Sequence, residues 1–160
     1  MPMRMTKSTL LTASAAALLL LAACADRGKA AARQLARRNS CISAELALDA
    51  KERLASLDTA VATAQGTPME QVTVAGHVFA TAYRRWADAS SRSADLADSA
   101  AFARTPEDAA RLSRQSDEAR PLPVAHGTVE GNAAASYNQD FTRAFNNPDH
   151  PCNKPGAGND

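Results

Sequence analysis

At 160 residues the chain has room for one domain and little more. With 4% aromatics and an abundance of alanine, it is poor material for a strand surface and good material for helix, which points to an all-α protein. A formal charge of +1 gives no global field to draw in a polyanion, so nucleic acid is excluded as the expected partner.

The first element is a leader. Arg4 and Lys7 form a basic start, Leu10 to Leu21 an apolar middle, and Leu21-Ala22-Ala23 a small-residue end, the three-part pattern of a secretory signal. The uncharged stretch from Ser8 to Cys24 sits at the lower limit for a membrane-crossing helix and carries Ser8, Thr9, Thr12 and Ser14. A retained anchor helix is therefore the weaker reading. Leu21-Ala22-Ala23-Cys24 resembles the lipobox of bacterial lipoproteins, and the resemblance is confined to this start of the chain. It implies cleavage before Cys24, a diacylglyceryl group on the Cys24 sulfur and often an acyl group on its new amine. An ordinary secretory signal with a chance cysteine is the alternative. Two or more acyl chains hold a protein stably on a bilayer where one holds it marginally, so the membrane is the expected partner through lipid on Cys24. In the sorting pattern of double-membrane bacteria, Asp directly after the cysteine favours inner-membrane retention. Here that place is Ala25 and Asp26 follows, which directs the expectation to the outer membrane, facing the periplasm. Loss of residues 1–23 takes Arg4 and Lys7 with it and turns the charge from +1 to −1.

Residues 24–40 read as a basic, partly helical tether, with Arg27, Lys29, Arg33, Arg37 and Arg38 against Asp26 alone. Those cations suit either anionic headgroups or, more ordinarily, a solvated helix surface. Ile42, Leu46, Ala50, Leu54, Leu57, Val61 and Ala64 then advance in steps of three and four, one face of a helix near 30–65. After Gly66, Thr67-Pro68-Met69-Glu70 has the grammar of a capped helix start, which Thr105-Pro106-Glu107-Asp108 repeats. The spacing predicts helices over 68–104 and 106–119. The first of these carries Val72, Phe79, Tyr83 and Trp86 on one side, continued by Ser90, Ser93 and Ala97, where a neighbouring helix must approach closely. Arg120-Pro121-Leu122-Pro123 stops the third helix. Past a loop through His126-Gly127 to Gly131-Asn132, the stripe Val129, Ala133, Tyr137, Phe141 and Phe145 marks a fourth, ending at Asn146-Asn147-Pro148. The two aromatic stripes read as halves of one core, with a ligand pocket between them as the alternative.

With Cys24 assigned to lipid, Cys41 and Cys152 remain, and an even pair outside the cytosol reads as one disulfide. Cysteine reactivity, or metal binding with His150, is the competing reading. A Cys41–Cys152 link suits an up-down-up-down bundle, in which the end of the fourth helix returns beside the early part of the first. There is no Cys-x-x-Cys, His-Glu-x-x-His, Gly-x-Ser-x-Gly or Glu-x-x-His pattern, and His77, His126 and His150 are scattered, with Asp149 the expected partner of His150. No catalytic, cofactor-binding or metal-ligating set is expected. Arg84-Arg85-Asp88, Arg92-Asp95 and Glu107-Arg111 read as surface ion pairs.

The expected organisation is a cleaved signal peptide (1–23), a basic tether (24–40), a small antiparallel bundle of about four helices, two long and two shorter (41–147), and a tail carrying Cys152 that ends in disorder (148–160). The expected function is that of a membrane-tethered envelope lipoprotein, a non-enzymatic helical module for a protein or cell-wall partner. The alternative is a periplasmic bundle that binds a small ligand or metal.

Overall fold

The computed structural model describes residues 8–154, with side chains from Asp26 onward. The signal segment, the lipobox and the Cys24 side chain therefore lie outside the described residues, as does the tail end at 155–160. The chain divides into two units, Met1–Leu35 and Ala36–Asp160. In the first, residues 26–35 belong to helix α1 (Ser8–Ala64) and are exposed throughout. Among the described residues, no helix is long and apolar enough to cross a membrane.

The second unit is an all-α bundle, built from the rest of α1 with α2 (Glu70–Ala101), α3 (Pro106–Ala119) and α4 (Val129–Asn146). A single 3₁₀ turn, Pro151–Asn153, follows. Cross-contacts fix the directions. On α1 and α2, Ser40 bonds Asp95 while His77 bonds Asp58, so these helices run antiparallel. On α1 and α4, Ser43 meets Tyr137 while Arg38 meets Phe145, so these too run antiparallel. The small face of α2 receives α3 as its spacing requires. Ser93 Oγ donates to the Ser116 carbonyl at 2.9 Å and Ser116 Oγ to the Ser93 carbonyl at 2.8 Å. Two hydroxyls thus close the gap that larger apolar groups would hold open.

The core gathers Ala50, Tyr83, Ala87, Ala133 and Tyr137, with Leu46, Ala47, Phe79, Trp86 and Phe141 packed against them. Tyr83 meets Tyr137 edge-on at 6.0 Å, and Tyr137 lies 6.3 Å from Phe141. The two aromatic stripes therefore touch each other instead of enclosing a space between them. Val72 departs from its expected place on the buried side and is 65% exposed. In the core, α4 supplies Ala133 and Tyr137 at the level of Ala50 and Tyr83, and Val72 lies seven residues before Phe79, toward the turn between α1 and α2. Met69, Val72, Val74 and Val78 are all exposed there.

The helix starts differ from one another. At α3 the expected cap forms, with Thr105 Oγ1 accepting from the Asp108 N–H at 3.1 Å. At α2 it shifts: Thr67, Pro68 and Met69 form a turn, the helix begins at Glu70, and the Glu70 carboxylate accepts from the Gly66 N–H at 2.8 Å. Gly66 permits this chain reversal through its positive φ of 72°. At α4, Thr128 Oγ1 accepts from the Gly131 N–H at 3.0 Å. Gly131, which reads as loop in the sequence, lies inside the first turn of α4. A Cβ on it would stand 2.1 Å from the Ala125 carbonyl oxygen, so the doubling back of the chain requires glycine there.

Candidate functional site

Two places carry chemistry. The first is the end of the bundle where the tail returns to α1. Asn153 secures the tail by donating through Nδ2 to the Ala144 carbonyl at 3.0 Å and to the carbonyls of Phe145 and Asn147, acceptors at the end of α4. Arg38 adds hydrogen bonds to Asn153 and to the Phe145 carbonyl, with its guanidinium 3.7 Å from the centre of the Phe145 ring. Arg37 stacks over Phe102 at 4.4 Å. Arg37 and Arg38, which read as tether cations in the sequence, thus belong to the bundle.

This anchoring brings Cys152 to Cys41. Their sulfurs are at disulfide-bonding distance, 2.06 Å, with Cα atoms 5.7 Å apart, across a sequence separation of 111. Glu45 stands one helical turn after Cys41 on α1, and its carboxylate falls within 4.8 Å of both sulfurs. His150 does not pair with Asp149, the partner its sequence position suggests. Its Nε2 lies 3.1 Å from Glu45 Oε2, and its Nδ1 accepts from the Cys152 N–H at 3.3 Å. With Nδ1 accepting, the neutral ring carries its proton on Nε2, the nitrogen that faces Glu45. Sequence spacing holds no trace of this Glu45–His150 contact, since the two residues meet only once the disulfide end has closed. His77 pairs with Asp58 at 2.7 Å, and His126 stands in the exposed loop before α4, so the three histidines do not converge. Among the surface pairs, Arg84–Asp88 forms at 3.4 Å, whereas Arg111 takes Asp108 at 2.9 Å in place of Glu107.

The second place is a cleft of about 380 Å³ on the flank of the aromatic core, lined by Leu57, Gly76, Phe79, Tyr83, Gln139 and Asp140 among others. Tyr83 donates its hydroxyl to Asp140 Oδ2 at 2.9 Å. Burial first, and the Asp140 carboxylate second, push the Tyr83 phenol well above its ordinary range, so it remains a neutral donor. Arg53, bonded to Asp49 at 2.7 Å, borders the same cleft. An apolar floor with a few directed polar groups is the ordinary make-up of a small-molecule site.

No protein-family model matches this chain, and no curated protein or solved structure is significantly similar to it.

Proposed function

We propose that the chain is a membrane-tethered envelope lipoprotein whose helical bundle is a non-enzymatic interaction or structural module, held from the outer membrane toward a protein or cell-wall partner. The observation that carries this is Leu21-Ala22-Ala23-Cys24 at the end of a three-part signal. The Cys41–Cys152 pair supports it, because such bonds persist in the oxidising envelope and are rare in the cytosol. Acylated Cys24 becomes the first residue, and the exposed helical residues after it serve as a spacer. Arg27 and Lys29 add attraction to anionic headgroups of roughly 1 kcal/mol each near the surface. In cell fractionation, the wild type should pellet with membranes and carry lipid mass, while Cys24→Ser should move to the soluble fraction at the mass of the bare polypeptide. Wild-type protein that is soluble and free of lipid ends this reading.

The cleft beside Tyr83 favours a second reading, capture of a small apolar ligand with a hydrogen-bonding group. A glycine within a helix costs about 1 kcal/mol relative to alanine. At Gly76 a Cβ would meet nothing within 4 Å, so packing does not ask for that cost. The absent side chain leaves the cleft wall clear. Gly76→Leu should fill the cleft and weaken uptake of an apolar fluorescent dye by about tenfold or more, while raising helix stability. Equal dye binding by the two proteins removes the cleft from consideration.

A further inference from the structure

The tail end of the bundle holds more ligating groups than a disulfide needs. Cys41, Glu45 and Cys152 present two sulfurs and a carboxylate oxygen within 4.8 Å of one another, on elements fixed independently of the S–S bond. Asn153 and Arg38 hold the 3₁₀ turn against α1 and α4 through their own hydrogen bonds, so the two cysteine side chains remain neighbours when that bond is open. Exposed carboxylates stand near cysteines by chance in many proteins. What distinguishes Glu45 is its neighbour. His150 Nε2 faces its carboxylate at 3.1 Å, and the other nitrogen of the same ring accepts from the backbone N–H of Cys152, which bears the second sulfur. A ligating carboxylate with its own hydrogen-bonding support is the usual outer arrangement of a metal site.

We propose that the reduced chain binds one Zn²⁺, or a similarly thiophilic divalent ion, through Cys41, Cys152 and Glu45, with His150 as a positioning residue for Glu45. Formation of the site begins with thiol–disulfide exchange. A dithiol of the oxidoreductase class delivers two electrons and two protons, the Cys41–Cys152 bond breaks to two thiols, and the donor becomes a disulfide. The ion then takes both sulfurs as thiolates, releasing two protons to solvent, and the Glu45 carboxylate fills a third position while water takes the fourth. With bonds of about 2.3 Å to each sulfur, a tetrahedral ion needs the sulfurs to part to about 3.8 Å, which rotation of the cysteine side chains supplies. Thiolate donors select zinc and its neighbours over magnesium or calcium. The ion thereby replaces the disulfide as the link between α1 and the tail, and the oxidised chain has no such site because its sulfurs are bonded to each other.

The test uses the full chain carrying Cys24→Ser, so that two thiols remain, reduced with a phosphine that is then removed under argon. Co²⁺ and Zn²⁺ alone are the probes. The reduced protein should take up one Co²⁺ with a near-ultraviolet thiolate-to-cobalt charge-transfer band, and Zn²⁺ should displace it and protect both thiols from a disulfide reagent. The oxidised protein should show neither effect. Glu45→Gln should weaken the affinity at least about tenfold with the band retained, and His150→Gln should weaken it less. Two thiols that stay fully reactive under excess Zn²⁺ overturn the proposal. So does equal uptake by the oxidised form, or a Glu45→Gln affinity equal to that of the parent. Because reduced and oxidised forms of one polypeptide are compared, the outcome does not depend on whether a cysteine variant folds. It is also independent of the lipid on Cys24.

Discussion

Replacing Cys41 and Cys152 together with alanine should lower the stability of the bundle by about 4–5 kcal/mol, on the chain-entropy account of a loop this long. The link joins residues 111 apart, spanning nearly all of the bundle, so it removes much of the freedom of the unfolded chain. Its effect is large relative to what the core supplies. Ala50, Ala87 and Ala133 fill much of the buried cluster, and small side chains remove little apolar surface from water. The measurement is urea unfolding followed by circular dichroism, with a metal chelator present so that no ion substitutes for the bond. Either single substitution should cost as much as the double, because the link is lost entirely in each case. The tail hydrogen bonds from Asn153 and Arg38 survive these substitutions, and so the folded state should remain reachable. A double variant within about 1 kcal/mol of the wild type would show that the unfolded chain is already compact or the folded one strained by the bond.

How much of this was legible beforehand depended on whether the signal was local. Helix α3 begins and ends where threonine and proline place it, and α4 ends at Asn146 before Asn147-Pro148, because caps and stops are properties of neighbouring residues. The proximity of Cys41 and Cys152 is readable from arithmetic, and such a link suits the antiparallel order. What escaped was set by contacts between distant parts of the chain. Val72 has the spacing of a core residue, yet it is 65% exposed near the turn between α1 and α2. Gly131 looks like a loop residue, yet its role comes from the Ala125 carbonyl behind it. Arg38 reads as a surface cation, and only the return of Phe145 and Asn153 gives it acceptors and a ring. Likewise, Glu45 and His150 carry no motif. Their contact exists because an α1 position and a tail position are brought together from opposite ends of the domain.

Tyr137→Ala should cost about 3–5 kcal/mol, the range for removing a large buried aromatic. Tyr137 is 4% exposed and joins three helices: its ring meets Tyr83 of α2 and Phe141 of α4, and its hydroxyl donates to Ser43 Oγ of α1 at 3.2 Å. The surrounding alanines are too short to close the space, so most of the cavity should persist. Tyr137→Phe separates the ring from the hydroxyl. It keeps the packing and leaves the buried Ser43 without that partner, which should cost about 1 kcal/mol. The same ring makes stability pH-dependent. Burial pushes the Tyr137 phenol upward, against smaller opposing effects of hydrogen bonds with Ser43 and Ser90, and Tyr83 is raised by burial and Asp140. Unfolded tyrosines ionise near 10, so above about pH 10 the unfolded chain holds fewer protons than the folded one and stability falls as pH rises. Below that value both states keep the phenolic protons, and the two tyrosines add no pH slope. Urea midpoints from pH 8 to 11 should therefore be level at first and then drop, with a shallower drop in Tyr83→Phe and Tyr137→Phe than in the wild type. An unchanged alkaline slope in both variants would mean that the phenols are solvated in the folded protein, and the core would then have to be packed otherwise.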